Sequence, residues 1–181
     1  IALADRLDSL AGLFGTGQIP TGSKDPFALR RASLGVLRLL VEKEINIDLG
    51  TLIDWALAND WETDLKSDTK AVLTEYMLDR FSAWYHDEGI PAEVFQAVRT
   101  LGITNALDVN RRVQAVHEFG KLESAEALAA ANKRVSNILA KNNGDAVSAD
   151  VDASLFEAAE EKALFEQMTG LKDLIIPSLE K

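Results

Sequence analysis

The sequence predicts an all-α fold made of helical bundles, and three observations support that prediction. Apolar residues recur every three or four positions along most of the 181 residues, which is the spacing of one face of an amphipathic helix. Alternating runs rich in Val, Ile and Thr, which indicate strands, are nearly absent. Apolar residues make up 47% of the chain, so a buried core is available to hold the helices together.

The first two predicted helices flank a turn-rich stretch. The first helix covers residues 1–14, and the turn-rich residues 15–26 end it. Asp25 can accept hydrogen bonds from free backbone N–H groups as an N-cap, and Pro26 fits the first helical position. The second helix is expected to run from there to about Lys43. The residues expected along one path of this helix are Phe27, Arg30, Leu34, Leu37 and Val41.

Two further helices are predicted on either side of a polar loop. The third is expected to end at Ala58, and the long fourth helix is closed by Gly89, a residue typical of helix C-termini. The candidate N-caps are Asp48 or Thr51 for the third helix and Ser67 or Asp68 for the fourth.

Three more helices are expected to start at Pro91, Asp108 and Ser124. The last of them has the clearest helical pattern, with one apolar side expected to face a core. Its apolar positions are Leu128, Ala131, Val135, Ile138 and Leu139.

The chain after this helix is predicted to contain a linker and one final helix. Residues 142–150 combine turn formers and acids, which is typical of a linker. The final helix is expected over about 154–176, with a possible break at Gly170. Pro177 is expected to end or kink it, because proline lacks the backbone N–H that a helix interior uses.

Composition excludes several classes of protein. Without cysteine there can be no disulfide framework, zinc ribbon or thiol nucleophile. No apolar run approaches the roughly 20 residues that span a bilayer, and no basic segment precedes an apolar stretch as in a signal peptide. The chain begins at Ile1 inside a helical pattern, so we expect it to be a fragment of a longer protein.

Side chains suited to catalysis or metal binding are scarce. His86 and His117 are the only histidines, and neither has another ligand at a metal-binding spacing. Asp5 and Asp8 share one helix face, a pair that can hold a metal or act in acid–base chemistry but is also common on helix surfaces. The glycines of the first turn-rich stretch match no phosphate-binding motif. We therefore expect no catalytic residue and no metal site.

Charge is unevenly distributed along the chain. The net charge of -10 argues against indiscriminate binding to nucleic acid, yet residues 24–43 and 99–141 each sum to +3. The second of these basic islands carries a polar stripe along one helix face, with a further cation beside it. Such a stripe can track phosphates, although composition alone favours a solvated helix face. The stripe comprises Lys133, Asn137 and Lys141, and the adjacent cation is Arg134.

Two stretches of the sequence resemble a known family. Residues 15–40 read GTGQIPTGSKDPFALRRASLGVLRLL, and residues 128–141 read LAAANKRVSNILAK. Both resemble the beta subunit of the bacterial two-subunit type of glycyl-tRNA synthetase, and ADRLDSLAGLFG at residues 4–15 fits the same family. The family forms a heterotetramer of two alpha and two beta subunits.

The resemblance implies a division of labour between the two kinds of subunit. The alpha subunit activates glycine with ATP and Mg, while the beta subunit grips tRNA(Gly). This fragment is therefore expected to use no cofactor of its own. Its expected partners are tRNA(Gly) and the alpha subunit, without DNA or membrane, in the cytoplasm. A helical scaffolding module that contacts other domains or the alpha subunit is the alternative.

The resemblance also implies a domain organisation. Residues 1–44 would be the C-terminal end of an HD-type helical domain, and residues 45–66 a connecting helix and loop. Residues 67–181 would form a DALR-type anticodon-binding bundle, truncated at its C-terminus. Asp5 or Asp8 would match the final Asp of the HD motif, whose His elements lie outside this chain, so no phosphohydrolase activity is expected.

The resemblance turns the basic islands into candidate RNA-binding surfaces. The primary candidates are Arg111, Arg112, Lys133, Arg134, Asn137 and Lys141. Arg30 and Arg31 are secondary candidates, because they can instead serve interdomain ion pairs. Unpaired bases of an anticodon loop can stack on aromatic side chains, but burial is the expected use of most of the large aromatics. These aromatics are Trp55, Trp61, Trp84 and Tyr85.

Overall fold

The structure is a computed structural model that describes residues 1–141 and 151–179, so the expected linker at 142–150 lies outside the described residues. The described residues form eight α-helices and one short 3₁₀ turn, without a β-strand, which confirms the all-α prediction. The helices are α1 Ala2–Gly15, α2 Leu29–Glu42, α3 Leu49–Leu57, α4 Thr69–Asp87, α5 Ala92–Arg99, α6 Ala106–Gly120, α7 Glu123–Lys141 and α8 Ala159–Leu179.

Contacts divide the chain into two compact units, Ile1–Ala130 and Ala131–Lys181. In the first unit α1 packs against α2, α3 and α4, while α5 joins α4 to α6. One apolar core runs through α1 to α6. None of the described helices is both long enough and apolar enough to cross a membrane. The assignment of residues 1–44 and 67–181 to HD-type and anticodon-binding domains stays a prediction.

The start of α2 differs from the prediction, because Ala28 and not Asp25 occupies the N-cap position. The expected acceptance of backbone N–H groups by Asp25 is nevertheless found. Asp25 accepts hydrogen bonds from the backbone N–H groups of Leu29 at 2.8 Å and of Arg30 at 3.0 Å. The helix begins at Leu29, not at Pro26, because Ala28 adopts a left-handed conformation with φ of 55°. Phe27 therefore lies outside the helix and is 51% exposed, so its expected place on the helical path is wrong.

The start of α6 also differs from the prediction, and it is linked to the start of α3. Asn105 is the N-cap and accepts from Asp108 N–H at 3.1 Å, which places Asp108 inside the first turn. Of the two candidate caps of α3, Asp48 is the one used, since its carboxylate accepts from Thr51 N–H at 3.2 Å. Its second carboxylate oxygen accepts from the Thr104 hydroxyl, so one aspartate joins two helix starts.

The C-terminal helix is longer than predicted at one end and shorter at the other. α8 begins at Ala159, after a 3₁₀ turn at Ala153–Leu155. It then continues through Gly170 and Pro177 to Leu179, so the expected break and stop are both wrong. Proline fixes φ near −65°, a helical value, so it removes one hydrogen bond without requiring the chain to leave the helix.

Two glycines of α1 leave room for the polar loop that follows α3 to pack against the helix. A Cβ atom at Gly12 would lie 2.6 Å from the Trp61 ring, and one at Gly15 would lie 2.6 Å from the Leu65 side chain. The loop is also tied by its backbone, because Lys66 N–H donates to the Gly15 carbonyl at 3.0 Å. These glycines therefore serve close packing between helix and loop.

We expect Gly12→Ala to destabilise the first unit. Alanine is the better helix former, but its Cβ would force the half-buried Trp61 ring to move, and overpacking of this kind costs about 1–3 kcal/mol. Urea unfolding followed by far-UV circular dichroism measures the change in free energy of unfolding. Gly120→Ala is the matched control, because the added methyl group would meet nothing within 4 Å beyond its chain neighbours and its own helix backbone. Equal stability of the two variants would contradict the packing role of Gly12.

We expect Asp25→Ala to lower the free energy of unfolding by about 1–2 kcal/mol, since two N–H groups at the start of α2 lose their acceptor. Asp68→Ala is the control. Asp68 occupies the N-cap position of α4, but its side chain makes no capping hydrogen bond. The same unfolding experiment measures both variants. If Asp25→Ala lowers the free energy of unfolding no more than Asp68→Ala does, the hydrogen bonds to Asp25 do not stabilise the start of α2.

Candidate nucleic-acid interface

The two candidate arginines of α6 are exposed, and each has an acidic neighbour. Arg112 Nε donates to both carboxylate oxygens of Asp108, at 3.0 and 3.1 Å. Arg111 Nη2 makes a longer contact of 3.5 Å with Glu44 Oε1. Exposed ion pairs are weak, so these partners can be exchanged for phosphate. The nearby carboxylates nevertheless reduce the net positive charge of this part of the surface.

The candidate residues of α7 have no such neighbours. Lys133, Arg134, Asn137 and Lys141 are all exposed, and none of their side chains makes a hydrogen bond or ion pair with another described residue. Lys133, Asn137 and Lys141 follow one another at four-residue intervals, which places them along one side of the helix. Their donors and charges are therefore available to a ligand.

The opposite side of α7 was expected to face a core, and in the described residues it does not. Val135, Ile138 and Leu139 are 55%, 52% and 52% exposed, and Leu128 is also exposed. The amphipathic spacing correctly indicated which side is apolar. It could not indicate whether the described part of the chain supplies a covering surface, because that depends on contacts distant in sequence.

The two secondary candidates, Arg30 and Arg31, have different surroundings although they are adjacent in α2. The Arg30 guanidinium is half-buried and donates to the Gly22 carbonyl, so it holds the preceding loop. Arg31 is exposed and lines a cleft together with Arg6 of α1. No sequence pattern singled out Arg6. The one available signal was Gly35, a glycine inside a helix that leaves room for the Arg6 side chain.

The large aromatic residues divide between core and surface. Trp84 and Tyr85 are buried, as expected, in a cluster with Phe81 and Phe95. The Tyr85 hydroxyl donates to Asn110 at 3.1 Å, and burial together with the Glu88 carboxylate raises its pKa far above the ordinary value. Trp55 is 61% exposed, so burial is the wrong expectation for this residue.

The acidic pair of α1 forms no metal site with the described part of the chain. Asp8 Oδ1 accepts from Asn59 Nδ2 at 2.9 Å, and Asp5 lines the cleft with Arg6. No group of three or more His, Asp or Glu side chains able to hold a metal occurs in residues 1–141 and 151–179. His86 lies on the surface, with its Nδ1 3.8 Å from Asp87 Oδ1.

Comparison with known proteins identifies the relatives of this chain. The sequence profile of the glycyl-tRNA synthetase beta subunit family matches residues 1–100. The glycine–tRNA ligase beta subunit of Marinobacter nauticus is 48% identical over 181 residues, covering 100% of this chain and 26% of the relative. That of Glaesserella parasuis is 50% identical over 181 residues, with the same coverage. The Ectopseudomonas mendocina protein is 53% identical over 165 residues, covering 91% of this chain and 24% of the relative.

These relatives are subunits of aminoacyl-tRNA synthetases, and this is the class of protein to which the chain is similar. The chain belongs to the glycyl-tRNA synthetase beta subunit family, as the sequence resemblance predicted. It spans about a quarter of the length of these relatives, 26% in the first two comparisons.

Proposed function

We propose that this chain is a tRNA-binding part of a glycyl-tRNA synthetase beta subunit and that the polar stripe of α7 contacts the anticodon region of tRNA(Gly). The observation that carries the proposal is the stripe itself: Lys133, Asn137 and Lys141 are exposed on one side of α7 without acidic partners among the described residues. In this proposal the chain supplies binding and no chemistry. The alpha subunit, with ATP and Mg, activates glycine in the cytoplasm.

The chemistry of the stripe suits RNA in two ways. The ammonium groups of Lys133 and Lys141 are compact charges that can pair with successive backbone phosphates, and the adjacent Arg134 guanidinium can bind a phosphate through two N–H groups. Asn137, between the two lysines, offers both a donor and an acceptor to the edge of an unpaired base. Single-stranded loops expose such base edges, whereas an A-form helix hides them in its deep major groove.

Arg111 and Arg112 belong to the same proposal as weaker contributors. Their carboxylate neighbours, Glu44 and Asp108, must be displaced or tolerated when a phosphate approaches.

The negative net charge of the chain is compatible with this function. It limits long-range attraction to any polyanion, so that affinity depends on the local arrangement of donors.

A scaffolding function is the second candidate, and the exposed apolar side of α8 favours it. Leu164, Met168 and Leu171 follow one another at helical spacing and are 61%, 61% and 52% exposed. Ile175 continues this side of the helix at 49% exposure. Apolar faces of this extent commonly meet another protein surface, here a further domain of the subunit or the alpha subunit.

We expect the double substitution Lys133→Glu and Lys141→Glu, made in the full-length beta subunit, to raise the KM for tRNA(Gly) in aminoacylation by about tenfold or more. Reversing two charges removes two phosphate contacts, so the log–log salt dependence of binding should also fall by about 0.7 per contact. The matched control is Lys162→Glu with Lys172→Glu, which makes the same charge change on α8. The KM for glycine and for ATP should not change in either variant.

The scaffolding candidate makes a different prediction. Met168→Asp, at an exposed position of α8, should weaken association with the alpha subunit in a pull-down and leave the affinity for tRNA(Gly) unchanged in a gel-shift assay. An unchanged KM in the α7 variant, together with lost association in the α8 variant, would replace RNA binding by scaffolding as the function of this region.

A further inference from the structure

A small cleft opens between α1 and the residues that lead into α2. Its volume is about 270 Å³, near the lower limit of the roughly 300–1,000 Å³ typical of small-molecule sites. A cleft of this size suits one planar ring better than a whole cofactor. The side chains that matter below are Asp5, Arg6 and Ser9 of α1, Phe27, and Arg31 of α2.

The aromatic side of the cleft is Phe27. Its ring is 51% exposed because the left-handed Ala28 delays the start of α2 and leaves Phe27 outside the helix. An exposed phenyl ring presents a π-face on which any nucleobase can stack. The backbone N–H groups at the start of α2 do not contribute to the cleft, because those of Leu29 and Arg30 already donate to the Asp25 carboxylate.

Two arginines provide the positive side of the cleft. Arg31 is exposed and Arg6 is half-buried, and neither makes an ion pair with any described acidic residue. Arg6 lies directly on the α2 backbone: a Cβ at Gly35 would be 3.0 Å from Arg6 Nε and 3.1 Å from Cζ. The glycine therefore lets an arginine of α1 cross to α2, which brings two guanidinium groups to one cleft.

The remaining polar groups of the cleft can accept hydrogen bonds. The Ser9 hydroxyl already donates its proton to the Asp5 carbonyl at 3.0 Å, which leaves its lone pairs free. The Asp5 carboxylate likewise can only accept when ionised. Ser9 and Asp5 thus offer hydrogen-bond acceptors to a planar ring bound in the cleft, and the two guanidinium groups offer donors to the groups attached to that ring. An amino-bearing base attached to phosphates has the complementary arrangement.

We propose that this cleft binds one unpaired nucleotide of the RNA, with its base stacked on Phe27 and its phosphates on Arg6 and Arg31. The site shares no residue with the α7 stripe, and it rests on the proposed function in that both would contact the same tRNA. Charge complementarity selects a nucleotide over an apolar protein segment as the occupant, since two unpaired guanidinium groups border the exposed ring.

The test uses the full-length beta subunit and a tRNA(Gly) transcript. Phe27→Ala should weaken tRNA affinity about fivefold or more, because stacking on one aromatic ring is lost. Phe27→Trp keeps an aromatic ring and should retain the affinity of the unchanged protein. Leu101→Ala, at another exposed apolar position, is the control and should bind as the unchanged protein does. Circular dichroism verifies that each variant is folded.

The charged side of the cleft is tested in the same assay. Arg6→Ala should reduce the log–log salt slope by about 0.7, the value for one single-strand phosphate contact. Lys43→Ala removes one exposed charge at the C-cap of α2, outside the cleft, so its slope should stay nearer the original value. A photoreactive benzoylphenylalanine at position 27 should crosslink to an unpaired nucleotide of the transcript.

The outcomes separate this site from the α7 proposal. Unchanged affinity in Phe27→Ala and Arg6→Ala, beside a weakened α7 double variant, would overturn the cleft site and leave the proposed function standing. Weakened binding in the cleft variants, with an unaffected α7 variant, would support the cleft and remove the α7 assignment. A position-27 crosslink to the alpha subunit, with tRNA affinity unchanged, would make the cleft a protein contact and overturn the nucleotide site.

Discussion

The arrangement of the first unit depends on the apolar core that α1, α2, α3 and α4 share. Five of its side chains, drawn from these four helices, are at most 1% exposed: Leu10, Phe14, Leu40, Ile53 and Met77. Burial of such side chains is the main favourable term in folding, so these contacts determine how α1, α2, α3 and α4 are rotated about their own axes. Rotation in turn decides which charged residues face solvent. Arg31 points outward because the opposite side of α2 carries Leu37 and Leu40, and the surface chemistry of the first unit depends on this core.

Two helical glycines each leave room for a side chain from another part of the fold, with different consequences. Gly12 lets the Trp61 ring approach α1 and so fastens the loop after α3, whereas Gly35 lets Arg6 of α1 lie on α2. In both cases the missing Cβ provides the space, at the expense of helix propensity. The first contact stabilises the fold, and the second brings a cation to a cleft. Single glycines inside helices are thus informative positions in this chain.

The order of the helices was predictable because it depends on short-range patterns. Asp48, one of the two candidate caps, is the N-cap of α3, α4 lies close to its expected bounds, and α5 begins directly after Pro91. The errors lie where two local signals compete. Asp25 accepts N–H groups of α2 as expected, but the N-cap position is Ala28, and α6 has Asn105 as its N-cap and starts before the expected Asp108. A capping side chain can reach N–H groups from more than one position, so composition leaves the first residue of a helix undecided.

Sequence alone determined the all-α class, the order of the helices, the scarcity of catalytic side chains, the two basic islands and the resemblance to the beta subunit family. These properties depend on residue type and on spacings within one helix. Only the tertiary structure decided that Phe27 is exposed, that Arg111 and Arg112 have acidic neighbours, and that Arg6 meets Arg31 at one cleft. Each of these facts depends on backbone conformation or on contacts between helices, which helical spacing cannot encode because it relates a residue only to its neighbours in the same helix.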